Sequence, residues 1–154
     1  MKISLDFEFI EDGITIKPIS LGMVREDGAE MYYEFEGVDW SLASEWVQNN
    51  VKPHLTGITT PLEDIKKGLL EFAGEKPEFW GYFADYDWVA LCQIFGKMID
   101  LPKGWPFYCL DLKQLMHESH VSKDQLSEQK GIEHNALDDA RWIMHSVKLI
   151  KELD

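Results

Sequence analysis

The chain has 154 residues, 45% of them apolar, and a formal net charge of −13. That length and apolar content exclude a disordered chain and suit one domain spanning residues 1–154 around a sizeable core. The acidity excludes a protein that coats nucleic acid through broad positive surface, but not an enzyme that holds a short phosphate chain through metal ions.

The first predicted strand is Lys2 to Ile10, KISLDFEFI. Ile3, Leu5, Phe7 and Phe9 alternate with Ser4, Asp6 and Glu8, the period of a strand. Asp6 and Glu8 therefore share one face, roughly 7 Å apart. Two carboxylates near the end of a core strand suit oxygen ligation of a hard divalent cation. A wet edge strand is the plainer reading of the same pattern. Glu11-Asp12-Gly13 is a turn, followed by a strand from Ile16 to Arg25 with Pro18 tolerated near its start. Glu26-Asp27-Gly28 turns the chain into a third strand, Glu30 to Phe35. These three strands are expected to form an antiparallel meander.

Ser41 is placed as the cap of a helix from Leu42 to about Asn50. Pro53 to Thr60 reads as a loop. Thr60 and Pro61 open a helix whose apolar positions are Leu62, Ile65, Leu69, Leu70 and Phe72, with Gly74 closing it. Phe79 to Phe83 is a short strand. Asp85 is a candidate cap for a helix from Tyr86 to Gly96. Phe107 to Leu110 is another short strand, and Asp111 begins a helix to about Ser119. Val121 to Glu133 is polar and irregular. The last helix runs from about Asn135 to Leu153, with Ala136, Ala140, Ile143, Val147 and Ile150 on one stripe. A meander followed by alternating strands and helices predicts an α/β fold, a mixed sheet flanked by helices.

In such a sheet, functional groups gather at the carboxyl ends of the parallel strands. Asp6 and Glu8 end the first strand, and Asp85 and Asp87 follow the fourth. Either aspartate has a structural role at a helix start, as cap or as dipole partner; spacing alone does not separate them. The last helix opens GIEHNALDDARW. Asp139 shares the stripe of Ala136 and Ile143, whereas Asp138 leans partly toward solvent; Arg141 can pair locally with nearby acids. His134 alone reads as a surface histidine before a helix. Beside Asp6, Glu8, Asp87 and Asp139 it becomes a candidate general base, since imidazole titrates near neutrality. Two divalent ions roughly 4 Å apart on such a carboxylate set can clamp a phosphodiester and stabilise the leaving oxygen. Zinc is disfavoured, because Cys92 and Cys109 have no partners at zinc-ligand spacing.

Asp6-Phe7-Glu8, Asp87 in YDWVAL, and His134 with Asp139 five residues on resemble, in order and separation, the three motifs of the DEDDh 3′-5′ exonucleases, which have a ribonuclease-H-like fold. The resemblance extends to the small bacterial exoribonucleases that trim polyadenylate RNA. They open Asp-Thr-Glu-Phe-Ile-Glu-Asp-Gly; this chain has DFEFIEDG, with Phe7 in place of threonine. Tyr86 to Gln93 and His134 to Arg141 match further stretches.

The resemblance selects Asp87 over Asp85. It implies Asp6, Glu8, Asp87 and Asp139 as metal ligands and His134 as base. Two Mg2+ ions, with Mn2+ as a substitute, are the implied cofactors. The implied activity is hydrolysis of single-stranded RNA from its 3′ end to nucleoside 5′-monophosphates, with adenylate tails favoured. Phe7, Tyr86 and Trp88 are candidate substrate-binding residues, with Tyr82 also nearby; core packing is the alternative role for Trp88. Six tryptophans and the family's dimers point to a homodimer. No apolar run reaches membrane-spanning length and no signal peptide pattern opens the chain, so the expected location is cytoplasmic. A DNA exonuclease with the same metal site and an inactive nucleic-acid-binding module are the competing readings.

Overall fold

The computed structural model describes residues 1–153. Its centre is a six-stranded mixed sheet in which the strands lie side by side in the order Thr59–Thr60, Glu30–Phe35, Ile16–Arg25, Lys2–Glu11, Glu78–Gly81 and Leu110–Asp111. β1 (Lys2–Glu11), β2 (Ile16–Arg25) and β3 (Glu30–Phe35) form the expected antiparallel meander. β4 (Thr59–Thr60), β5 (Glu78–Gly81) and β6 (Leu110–Asp111) each pair in parallel with a neighbour. The helices are α1 (Glu45–Asn50), α2 (Leu62–Ala73), α3 (Asp85–Phe95), α4 (Leu112–Glu118) and α5 (Ala136–Leu153). The α/β reading holds, as does the meander with parallel strands beside it.

Period-two alternation in β1 divides the molecule. Ile3, Leu5 and Phe7 enter a core shared with Leu21, Met23 and Phe79, and with Ile65, Leu69 and Leu91 of α2 and α3. Ser4, Asp6 and Glu8 face α5 instead. Two contacts draw α5 onto this face. Ser4 Oγ donates to the Ala140 carbonyl at 2.6 Å. Gly22, paired with Asp6 across β1 and β2, lies so close to the backbone of Ala136 and Leu137 that a Cβ there would overlap them. The stripe of Ala136, Ala140, Ile143, Val147 and Ile150 is buried throughout.

Several boundaries differ from the sequence expectations. Ser41 does not cap α1. Asp39 accepts the Ser41 N–H in a separate 3-10 turn, Trp40–Leu42, and Ser44 Oγ caps α1 by accepting from Val47 at 3.2 Å. Extended backbone at Ala43 interrupts what apolar spacing joins. Thr59 and Thr60 are a strand, because the edge of β3 offers them a backbone ladder; Pro61 then stands at the N-cap of α2 without a side-chain hydrogen bond. β5 stops at Gly81, because Phe83 turns the chain with φ +53°. Asp85 is not the cap of α3 but its first residue; Ala84 holds the cap position, and its N–H goes to Asp111. β6 begins later than Phe107, and Asp111 caps α4 rather than lying within it.

Candidate active site

β1 supplies the first two carboxylates. Asp6 and Glu8 project from one face, both half-buried, beneath the first turns of α5. α3 supplies the third. The β5–α3 turn is held by Asp111, which accepts the Ala84 N–H at 2.7 Å. That fixes the start of α3, and Asp87 in its first turn is buried against β1. Asp87 Oδ1 accepts the Phe7 N–H at 2.7 Å, between the two β1 carboxylates. α5 supplies the fourth. Asp139 accepts the His134 backbone N–H at 3.1 Å and a hydrogen bond from the Gln129 side chain.

A ring nitrogen of His134 and carboxylate oxygens of Glu8 and Asp139 all lie within 4.8 Å of one another. His134 reaches this position with φ +65°, a left-handed conformation that few non-glycine residues adopt. Its ring meets Trp46 edge to face, the centroids 4.8 Å apart. Asp138, next to Asp139, turns away: it accepts from the Ile132 N–H at 2.9 Å and pairs with Arg141 at 2.6 Å, and Arg141 also holds Glu30.

Asp6, Glu8, Asp87, His134 and Asp139 line an open cleft of about 310 Å3, into which Lys123 brings the one lysine or arginine side chain among the described residues that line it. The acids there titrate abnormally. Burial pushes Asp6 well above the carboxylate range, helped by the charges of Asp87, Asp139 and Glu8. Burial, then the charges of Asp139 and Asp87, push Glu8 up to about 8. Burial raises Asp87 to about 7 against the opposing Phe7 N–H, with Asp111 and Asp139 adding repulsion. Asp139 is raised by burial and held back by Gln129 and His134. A crowd of desolvated carboxyls repels itself unless protons or cations intervene. Oxygen donors that converge in this way fit hard divalent cations.

The aromatic candidates separate. The backbone of Phe7 serves Asp87, while its ring is buried against Phe35. Tyr86 is exposed beside Phe9, a cleft residue. Trp88 packs against Phe79 in the core and does not line the cleft. Tyr82 and Phe83 do line it, and Phe83 is 61% exposed. Sequence reasoning misses Phe83, Lys123, Gln129, Asp111 and Trp46. Only Asp111, an acid after an apolar run and before a helix, carries a local signal comparable to that of Asp87.

The family described as the Rv2179c-like 3′-5′ exoribonuclease domain matches residues 1–151. Two curated Mycobacterium tuberculosis proteins, the 3′-5′ exoribonucleases Rv2179c of strain H37Rv and MT2234.1 of strain CDC 1551, are each 35% identical over 162 residues. Each alignment covers 100% of this chain and 95% of the relative. The fold is similar to that of zinc-bound Escherichia coli exonuclease I with single-stranded DNA, at TM-score 0.70 and 14% identity over 99% of this chain and 40% of that one. It is also similar to exonuclease I of Methylocaldum szegediense, at TM-score 0.71 and 14% identity over 98% of this chain and 40% of that one. The chain spans about two fifths of the exonuclease I chains it matches.

Proposed function

The chain belongs to the Rv2179c-like 3′-5′ exoribonuclease domain family, and on that basis we propose that it is a metal-dependent enzyme that removes nucleotides from the 3′ end of single-stranded RNA. The observation that carries the reading is the convergence of Glu8, His134 and Asp139 within 4.8 Å in the cleft that also holds Asp6 and Asp87. The whole chain, residues 1–154, acts as one domain.

Asp6, Glu8, Asp87 and Asp139 hold two divalent cations, magnesium first and manganese as substitute. Bound there, the cations supply charge stabilisation for the phosphate and the leaving oxygen. His134 accepts the proton of the attacking water through a ring nitrogen. The water oxygen bonds to the last bridging phosphorus and the P–O3′ bond breaks. The leaving 3′-oxygen takes a proton from solvent and His134 gives its proton back to solvent, so the products are a nucleoside 5′-monophosphate and a strand with a new 3′-hydroxyl.

The open, acidic cleft suits a single strand, because one lysine cannot grip a duplex. Phe83 and Tyr86 offer exposed rings for base stacking. Adenylate tails are the favoured substrate on the resemblance of the motifs. Exposed Trp46 is compatible with a homodimer, although Trp80, Trp105 and Trp142 are buried within the protomer. Both cysteines are free thiols, as suits a cytoplasmic protein, and no helix of the described residues is long and apolar enough to cross a membrane.

The test is product analysis on 5′-labelled single-stranded RNA and DNA of one sequence, with magnesium, with manganese and with chelator. A ladder shortening from the 3′ end of RNA, abolished by chelator, supports the proposal. Digestion of DNA in preference to RNA would replace it with a DNA exonuclease.

A further inference from the structure

The segment from Ser127 to His134 is fastened along one face of α5. The Ser127 carbonyl accepts from Trp142 Nε1 at 3.0 Å, and Ser127 Oγ lies 3.1 Å from His145 Nε2. At the other end, the Ile132 N–H donates to Asp138 at 2.9 Å, and the His134 N–H to Asp139 at 3.1 Å. Gln129 sits between these fastenings, half-buried, with its amide donating to Asp139 Oδ1. Each oxygen of Asp139 thus receives one N–H from this strap: Gln129 on Oδ1 and the backbone of His134 on Oδ2.

We infer that Gln129 is a positioning residue that orients Asp139 for the cations and, through the same strap, sets His134 over the cleft. The inference rests on the metal-centre reading above. A carboxylate oxygen has lone pairs enough to accept an N–H and bind a cation together. A donor to a ligating group fixes its orientation, and losing such a partner typically costs about 10–100-fold in metal affinity. Gln129 is suited to this role because its backbone is anchored on both sides, so its amide is held in place rather than searching for a partner. The plain alternative is that Gln129 only helps pack the strap.

The test uses Gln129→Met, which keeps the length and much of the shape of the side chain but removes the donor, with Asp138→Ala as the control that loosens the strap at Ile132. Divalent-ion binding is titrated calorimetrically with manganese, and exchange of the His134 amide is followed in chelator. Gln129→Met should weaken manganese binding about tenfold or more, speed His134 exchange several-fold and leave the melting temperature in chelator unchanged. Asp138→Ala should keep manganese affinity near that of wild type, because the His134 N–H still fastens that end of the strap and the Gln129 amide still reaches Asp139. Unchanged affinity in Gln129→Met, or equal losses in both variants, would overturn the inference. Should the wild type bind no manganese, the metal-centre reading fails by itself. The positioning role is then decided by amide exchange, and an unchanged His134 rate in Gln129→Met overturns it.

Discussion

The Phe7 N–H donates to Asp87 Oδ1 at 2.7 Å, so the residue between the two β1 carboxylates holds the third in place. An asparagine at 87 can keep that hydrogen bond while removing the buried charge; an alanine cannot. Asp87→Ala should therefore lose about 1–3 kcal/mol of stability for an unsatisfied buried N–H, measured by denaturant titration in chelator. Asp87→Asn should be at least as stable as wild type at pH 8, yet bind divalent ions weakly and turn over little. Equal stability of the two variants would show that the bond contributes nothing.

Asp138 and Asp139 are adjacent but differ in what they touch. Asp138 is spent on Arg141 and the Ile132 N–H, while Asp139 faces Glu8 and His134. Asp139→Ala should abolish detectable RNA cleavage, and Asp138→Ala should stay within about tenfold of wild type. The exposed Arg141 pair contributes little to stability, on the order of 1 kcal/mol or less. Loss of activity in Asp138→Ala with retention in Asp139→Ala would reverse the assignment.

Stability should depend on pH in a direction set by Glu8 and Asp87. Their folded-state values, about 8 and about 7, lie above those of an unfolded chain. The folded protein therefore binds protons more tightly than the unfolded one. This contribution is fully present below the unfolded carboxylate range and is lost as pH rises through about 7 to 8. Cations replace those protons, so their stabilising effect should grow over the same window. In chelator the melting temperature should fall from pH 6 to pH 8, and the increase on adding magnesium should be larger at pH 8. A smaller magnesium effect at pH 8 than at pH 6 would contradict this origin of the shifts.

Phe83 and Trp88 should respond oppositely to truncation. Phe83 is 61% exposed in the cleft, whereas Trp88 packs on Phe79. Phe83→Ala should fold normally and bind single-stranded RNA more weakly by about 1–3 kcal/mol, the range for one base stacked on an aromatic ring. Trp88→Ala should lower the melting temperature. Anisotropy titration beside thermal unfolding separates the two; unchanged RNA affinity in Phe83→Ala would remove its ring from the binding surface.

Much of this architecture is legible in the residues themselves. The alternation of β1 marks Asp6 and Glu8 as exceptions in an apolar strand, and the α5 stripe distinguishes Asp139 from Asp138 by angle alone. Local pattern fails where a distant group decides. Whether Ala84 or Asp85 caps α3 depends on Asp111, 27 positions away from Ala84. Thr59 and Thr60 become a strand only because β3 presents a free edge. Gln129 lies in a stretch with no periodicity, and its meaning comes from folding back onto α5. Trp88 next to Asp87 illustrates the converse: neighbours in a helix point about 100° apart, so one faces the cleft and the other the core.

The most direct measurement is single-turnover cleavage of 5′-labelled single-stranded RNA by wild type and His134→Ala at saturating magnesium, with metal and substrate affinities titrated in parallel. His134 stands before α5 with its side chain over the cleft, while the four carboxylates are untouched by the substitution. The expected result is a chemical step slower by about 10²–10⁴-fold in His134→Ala, with metal and RNA affinities close to wild type. A wild-type chemical rate in His134→Ala would contradict the assignment of His134 as the base.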